Sequence, residues 1–95
     1  MMIEFDWDEN KNRVNRKKHG IWFEEAQSVF DDIHGRLFLD SEHFDLEDRF
    51  VMIGYNNSSK LLVVVHCHRE SPSVIRIISA RKASKKERLF YEKGI

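Results

Sequence analysis

The period of the hydrophobic pattern shifts along the chain, and each shift marks a boundary between elements. Ile3 to Asp6 reads as a short strand. Asp8 then stands where an N-cap belongs, and the helix it starts is predicted to run to about Lys18. Gly20 occupies the place of a left-handed C-terminal residue. Lys17, Lys18 and His19 fill the last turn, where the helix dipole favours cations. Val14 is almost the only apolar residue of this helix, so no apolar stripe can anchor it. The anchors are expected at its ends, Phe5 and Trp7 before it and Ile21 and Trp22 after it.

Phe23, Ala26, Gln27 and Phe30 follow an i, i+3, i+4, i+7 rhythm, which predicts a second, short helix ending near Asp31 and Asp32. The period then falls to two. Arg36 to Asp40 alternates as one strand, an acidic loop follows through Asp48, and Phe50 to Tyr55 forms the next strand. Asn56-Asn57-Ser58-Ser59 is a hairpin turn in which asparagine can supply positive φ. Leu61 to His68 starts apolar on both faces and is expected at the centre of the sheet. A turn over 70–73 leads to a strand from Val74 to Ala80. Ser84 and Glu87 form a capping-box pattern for a last helix that Gly94 ends. The order β-α-α-β-β-β-β-α argues an α+β fold with a mainly antiparallel sheet, its helices over one face and the other face partly open.

At 95 residues the chain is expected to be one domain over 1–95. Aromatics at 12% and hydrophobic residues at 41% exclude a disordered chain. A lone cysteine, Cys67, excludes an internal disulfide and suits a reducing cytosol. No apolar run is long enough for a membrane span and no secretory signal opens the sequence, so a cytoplasmic protein is expected. Equal numbers of acidic and basic residues, 16 each, hide a strong separation. Residues 11–19 hold five cations and no acid, 23–50 carry a net charge of −7, and 74–95 carry +5. Two basic ends that met in space would form the footprint of a polyanion partner.

Arg76 is the most informative single position. A guanidinium within a strand must be paired or must face a solvated groove, where its planar fork suits phosphate. Both readings stay open, the structural one as an ion pair with Asp40 or Asp48. Arg76 and Arg81 have opposite parity along their strand, which sets them on one face only if the strand twists or ends at Ala80. Glu87 is explained by its capping box. His19 could move protons near neutral pH, or could simply be a cation at a helix C-terminus. His66 and His68 point the same way from one strand, and with His43 or Cys67 could chelate zinc. Cys67 lies on the opposite face and no further ligand spacing supports that set, so no metal and no cofactor is assigned.

Two blocks of sequence resemble the BrnT toxin family. The first runs from Phe5-x-Trp7-Asp8 through Lys11, Asn15, Lys18-His19-Gly20-Ile21 and Phe23-Glu24-Glu25-Ala26 to Val29-Phe30-Asp31-Asp32. The second runs from Glu47-Asp48-Arg49-Phe50 and Ile53-Gly54 through Arg76-Ile77-Ile78-Ser79-Ala80-Arg81-Lys82-Ala83 to Glu87-Arg88 and Tyr91-Glu92. The resemblance implies a fold like that of the RelE ribonucleases. It also implies a type II toxin that cleaves RNA without metal, slows translation and growth, and is neutralised by a BrnA-like ribbon-helix-helix antitoxin. DNA would be bound only through that antitoxin. On this resemblance the catalytic candidates are His19, Arg76, Arg81, Arg88 and Tyr91, with Lys11, Lys18, Lys82 and Lys85 as RNA contacts. The alternative is a small α+β module that binds RNA or protein without catalysis.

Overall fold

The computed structural model describes residues 3–40 and 49–94. The acidic stretch 41–48, with His43 and Asp48, lies outside the described residues. Strand β1 (Glu4–Asp6) leads into helix α1 (Glu9–His19), then a single turn α2 (Phe23–Ala26) continued by a 3₁₀ turn over Gln27–Asp31. Strands β2 (Arg36–Leu39), β3 (Phe50–Tyr55), β4 (Leu61–His68) and β5 (Val74–Lys82) follow, and α3 (Lys85–Lys93) comes last. The sheet order is β1-β5-β4-β3-β2. All neighbours are antiparallel except β1, which lies parallel to β5 with Asp6 opposite Arg76.

The helices do not all cover one face. Ile21, Phe23, Ala26 and Val29 pack with Leu62, Val64, Ile77 and Ala80 on the first face, joined by Phe5, Trp7, Phe30 and Met52. Tyr91 of α3 packs on the second face against Val51, Ile53, Leu61 and Val63. The second face is therefore covered over β3 and β4, and it holds Arg76 and Arg81 on β5.

Helix α1 is anchored only partly as expected: Phe5, Trp7 and Ile21 join the core at its ends, but the fourth expected anchor does not. Trp22 is exposed, and Val14, the one aliphatic side chain of the helix, is 62% exposed. The buried residues are Asn12 and Asn15, one turn apart on the side facing the sheet. Asn12 accepts from the Phe23 N–H at 2.7 Å and donates to Glu9 and Glu24, both at 2.9 Å. Asn15 donates to the carbonyls of Ile21 (2.9 Å) and Ala80 (2.8 Å) and accepts from the Ala80 N–H (3.1 Å). Strand β1 stops pairing at Arg76, so the outer edge of β5 beyond it lacks a strand neighbour among the described residues. The Asn15 amide, with its one donor end and one acceptor end, stands in for that neighbour at Ala80. Both helix ends follow the sequence: Asp8 accepts from the N–H groups of Asn10 and Lys11, and Gly20 takes φ 76.

Two local details also differ. Positive φ in the β3–β4 turn falls on Ser59, while Asn56 caps the turn by accepting from Ser58 and Lys60. Strand β5 runs to Lys82, two residues past the expected end.

Candidate functional site

The geometry of β5 follows from one irregularity. His66 pairs with Ile77 and Val65 pairs with Ser79, so Ile78 is an extra residue in the ladder. A bulge of this kind shifts the side-chain alternation by one. Arg76, opposite Cys67, and Arg81, opposite Val63, therefore fall on the same face. The parity conflict is resolved by the bulge, not by a strand end at Ala80.

Arg76 donates from Nη1 to Asp6 at 2.7 Å, across the last pair of the parallel ladder. The acid that Arg76 meets here is Asp6, a residue the expected pair did not name; Asp48 lies outside the described residues. Both side chains are partly exposed, so the pair leaves Arg76 accessible on the open face. Arg81 donates both Nη atoms to the Glu87 carboxylate at 2.7 and 2.8 Å. Glu87 also accepts from the Ser84 N–H, while Ser84 accepts from the Glu87 N–H, which completes the capping box. The Arg81 fork, with these capping bonds, holds the Glu87 carboxyl down at about 2, and Glu87 in turn raises the Arg81 guanidinium.

Helix α3 carries the other candidates to separate places. Arg88 donates to the Tyr55 hydroxyl at 2.9 Å and shares a shallow groove with Lys60 and Lys82. Lys85 is exposed at the start of the helix. Tyr91 is only 4% exposed, and its hydroxyl donates to Asp32 at 2.7 Å. Asp32 also accepts from the Tyr55 and His34 N–H groups. Burial works against its charge, yet these donors outweigh it and hold its carboxyl low. Burial and the adjacent carboxylate push Tyr91 up to about 12. Gly54 makes room for this arrangement, since a Cβ there would meet the Val29 carbonyl at 3.1 Å and Asp32 at 3.3 Å. Tyr91 fastens α3 over β3 and β4 on the same face as the two arginines, with its hydroxyl turned inward to Asp32 and not to solvent.

Lys11, Lys18 and His19 do come together. They line a groove of about 280 Å³ between α1 and β5, with Val14, Ile78 and Ser79. Ser79 belongs to the same face as Arg76 and Arg81, so the groove opens beside the arginine-bearing strand. His66 lies elsewhere, buried against Phe30 and Phe50 on the first face; burial, with His68 nearby, pulls it down to about 4. Among the described residues no three His, Cys, Asp or Glu side chains are grouped to hold a metal ion. None of the described helices is long and apolar enough to cross a membrane.

The family model described as "Ribonuclease toxin, BrnT, of type II toxin-antitoxin system" matches residues 7–87. The chain belongs to the BrnT family. Membership brings, at the level of the family, an RNA substrate and an antitoxin partner. The matched span includes His19, Arg76, Arg81 and Glu87, whereas Arg88 and Tyr91 lie beyond it. The fold is similar to that of the crystal structure of the Brucella abortus ribonuclease toxin BrnT. The TM-score is 0.66 at 23% identity, over 88% of this chain and all of that one. None of the curated proteins matches the chain in sequence. Asp6 shapes the site of this BrnT-family chain without having stood out in the sequence, and Asn15, Ile78 and Ser79 do so after standing in the resembling blocks with no role assigned. The signal for Asn15 was legible as a pair of asparagines at i, i+3 in a helix with no apolar face.

Proposed function

We propose that this chain is an endoribonuclease that needs no metal ion and slows growth by destroying RNA required for translation. The observation that carries the reading is the bulge at Ile78, which gives Arg76 and Arg81 a common open face beside the groove of Lys11, Lys18 and His19. In the proposed reaction the ribose 2′-oxygen attacks the adjacent phosphorus and the 5′-oxygen leaves. The products are a 2′,3′-cyclic phosphate and a 5′-hydroxyl. A base removes the 2′-hydroxyl proton and an acid returns one to the leaving oxygen, which a histidine can do near neutral pH. His19 is the group proposed for proton transfer. Arg76 and Arg81 meet the charge that develops on the phosphoryl oxygens. Lys11 and Lys18 hold the backbone on one side, and Arg88, Lys82 and Lys85 extend the basic surface on the other. Tyr91 enters this reading as the residue that positions α3.

The test is degradation of RNA by purified protein in the presence of chelator, with cyclic phosphate ends on the fragments. A requirement for added magnesium or zinc would overturn the mechanism even if RNA were cut.

A non-catalytic binding module is the second reading. It draws on the engagement of Arg76 and Arg81 by Asp6 and Glu87, which blunts their charge. Intact RNA after prolonged incubation with folded protein would favour it.

The proposed partner is a ribbon-helix-helix antitoxin that covers the basic face and carries the DNA-binding function of the complex. Operator binding by the toxin alone, as tight as by the complex, would sink that division of labour.

A further inference from the structure

The groove beside β5 uses only one flank of α1. The other flank carries a second groove, of about 510 Å³, lined by Asn10, Arg13, Val14, Arg16, Lys17 and Trp22. Three of these side chains are cations and none is an acid. Trp22 gives the groove an aromatic wall: it is 40% exposed, and the Arg16 guanidinium lies over its ring, 5.6 Å from the centroid. Its neighbours Ile21 and Phe23 are both fully buried, so the chain turns Trp22 outward while the residues beside it fill the core. Arg13 is steadied by a hydrogen bond to Asn10. Asn10 and Val14 line both grooves, so the two meet across the outer surface of α1.

Each of these features suits a nucleic-acid strand. Bases in single strands stack on exposed aromatic rings, and cations alongside hold the phosphates. An arginine over the same ring adds a cation–π contribution. An acidic peptide would engage the cations but has no flat ring for the indole. We propose that this groove is a base-stacking subsite for single-stranded RNA. A nucleobase flanking the cleaved phosphate stacks on Trp22, and its adjoining phosphates lie against Arg13, Arg16 and Lys17. The strand then crosses α1 over Asn10 and Val14 into the groove of Lys18 and His19. The proposal rests on the RNA reading above and adds to it where the strand leaves the cleavage site.

The test uses a single-stranded RNA oligonucleotide with 2′-O-methyl riboses, which binds but offers no 2′-hydroxyl to attack. Tryptophan fluorescence and affinity are followed at one fixed salt concentration. Binding should quench the signal in the wild type and in Trp7→Phe, and should lose most of that quenching in Trp22→Ala. Affinity should fall about 5–100-fold in Trp22→Ala and recover substantially in Trp22→Phe. Replacing Arg13 and Lys17 together by Gln should flatten the salt dependence by about 1–2 units of log–log slope. An affinity within twofold of wild type in folded Trp22→Ala overturns the proposal, as does failure of the wild type to bind the oligonucleotide. Poly-glutamate that binds as tightly as the RNA, and equally depends on Trp22, would identify a protein-docking surface and also overturn it. Stacking on Trp22 without cleavage of any RNA would leave the subsite standing and remove the catalytic reading alone. Chelator-resistant cleavage with affinity indifferent to Trp22 would do the reverse.

Discussion

Asn15 and Ala80 exchange two hydrogen bonds, side-chain amide to backbone, at 2.8 and 3.1 Å. They are 65 positions apart, and the contact fixes α1 to the edge of β5. Asn15→Ala would leave the Ala80 N–H and C=O without this partner in a buried setting, and the Ile21 carbonyl as well. Each buried group left unmet costs about 1–3 kcal/mol, so a loss of about 3 kcal/mol or more is expected. Chemical denaturation measures it. Val14→Ala, on the exposed side of the same helix, should change stability by less than about 0.5 kcal/mol.

Arg76→Ala should lower RNA cleavage by about 10²–10³-fold while changing stability little. The first figure is what loss of a positioned electrostatic stabiliser costs; the second follows because partly exposed ion pairs contribute about 0–1 kcal/mol. Asp6→Asn, which frees the guanidinium, should retain cleavage. Single-turnover rates on one RNA substrate decide between the roles. Equal cleavage by Arg76→Ala and Lys86→Ala would mean that Arg76 serves only its pair with Asp6.

Tyr91→Phe keeps the ring on the sheet and removes only the bond to Asp32. The expected outcome is a stability loss of about 1–2 kcal/mol with cleavage close to wild type. A fall in cleavage of a hundredfold without further loss of stability would give the hydroxyl a direct part in the reaction.

The Glu87 carboxyl, near 2 when folded against a reference of 4.5, supplies stability that is present above about pH 4.5 and lost as pH falls toward 2. Partial exposure of the pair limits its size to about 1–2 kcal/mol. Glu87→Gln should therefore be less stable than wild type at pH 7 and no less stable at pH 2. Thermal unfolding at the two pH values shows whether the difference closes.

His66 acts over a higher range. Its imidazole sits near 4 in the fold against 6.5 unfolded, so the unfolded chain binds the proton first. Stability is full above about pH 6.5 and declines as pH falls toward 4, by about 2–3 kcal/mol at most. His66→Gln should flatten that part of the curve.

The strands were legible because period-two alternation is written locally. Phe50 to Tyr55 and Leu61 to His68 begin and end where the pattern says. The helix caps at Asp8, Gly20 and Ser84 were legible for the same reason, since each depends on residues within a turn. Contacts between distant segments were not. Nothing near Asp6 announces that β1 will lie parallel to β5, so the partner of Arg76 could not be named from its surroundings. The bulge at Ile78 exists only as a mismatch between two strands, and no property of isoleucine marks it. Tyr91 shows the remaining limit, because a tyrosine near a basic motif reads alike whether its hydroxyl meets solvent or a carboxylate across the sheet.

Fastening α1 by two amides leaves most of its circumference outside the folding problem. Positions 10, 11, 13, 14, 16, 17 and 18 are all exposed, and exchanging one should cost little beyond its helix propensity, a few tenths of a kcal/mol for most residues. The surface proposed to read RNA can thus be rewritten without disturbing the scaffold beneath it. A toxin built this way can diverge in what it recognises through a series of single substitutions, each of which leaves a stable protein.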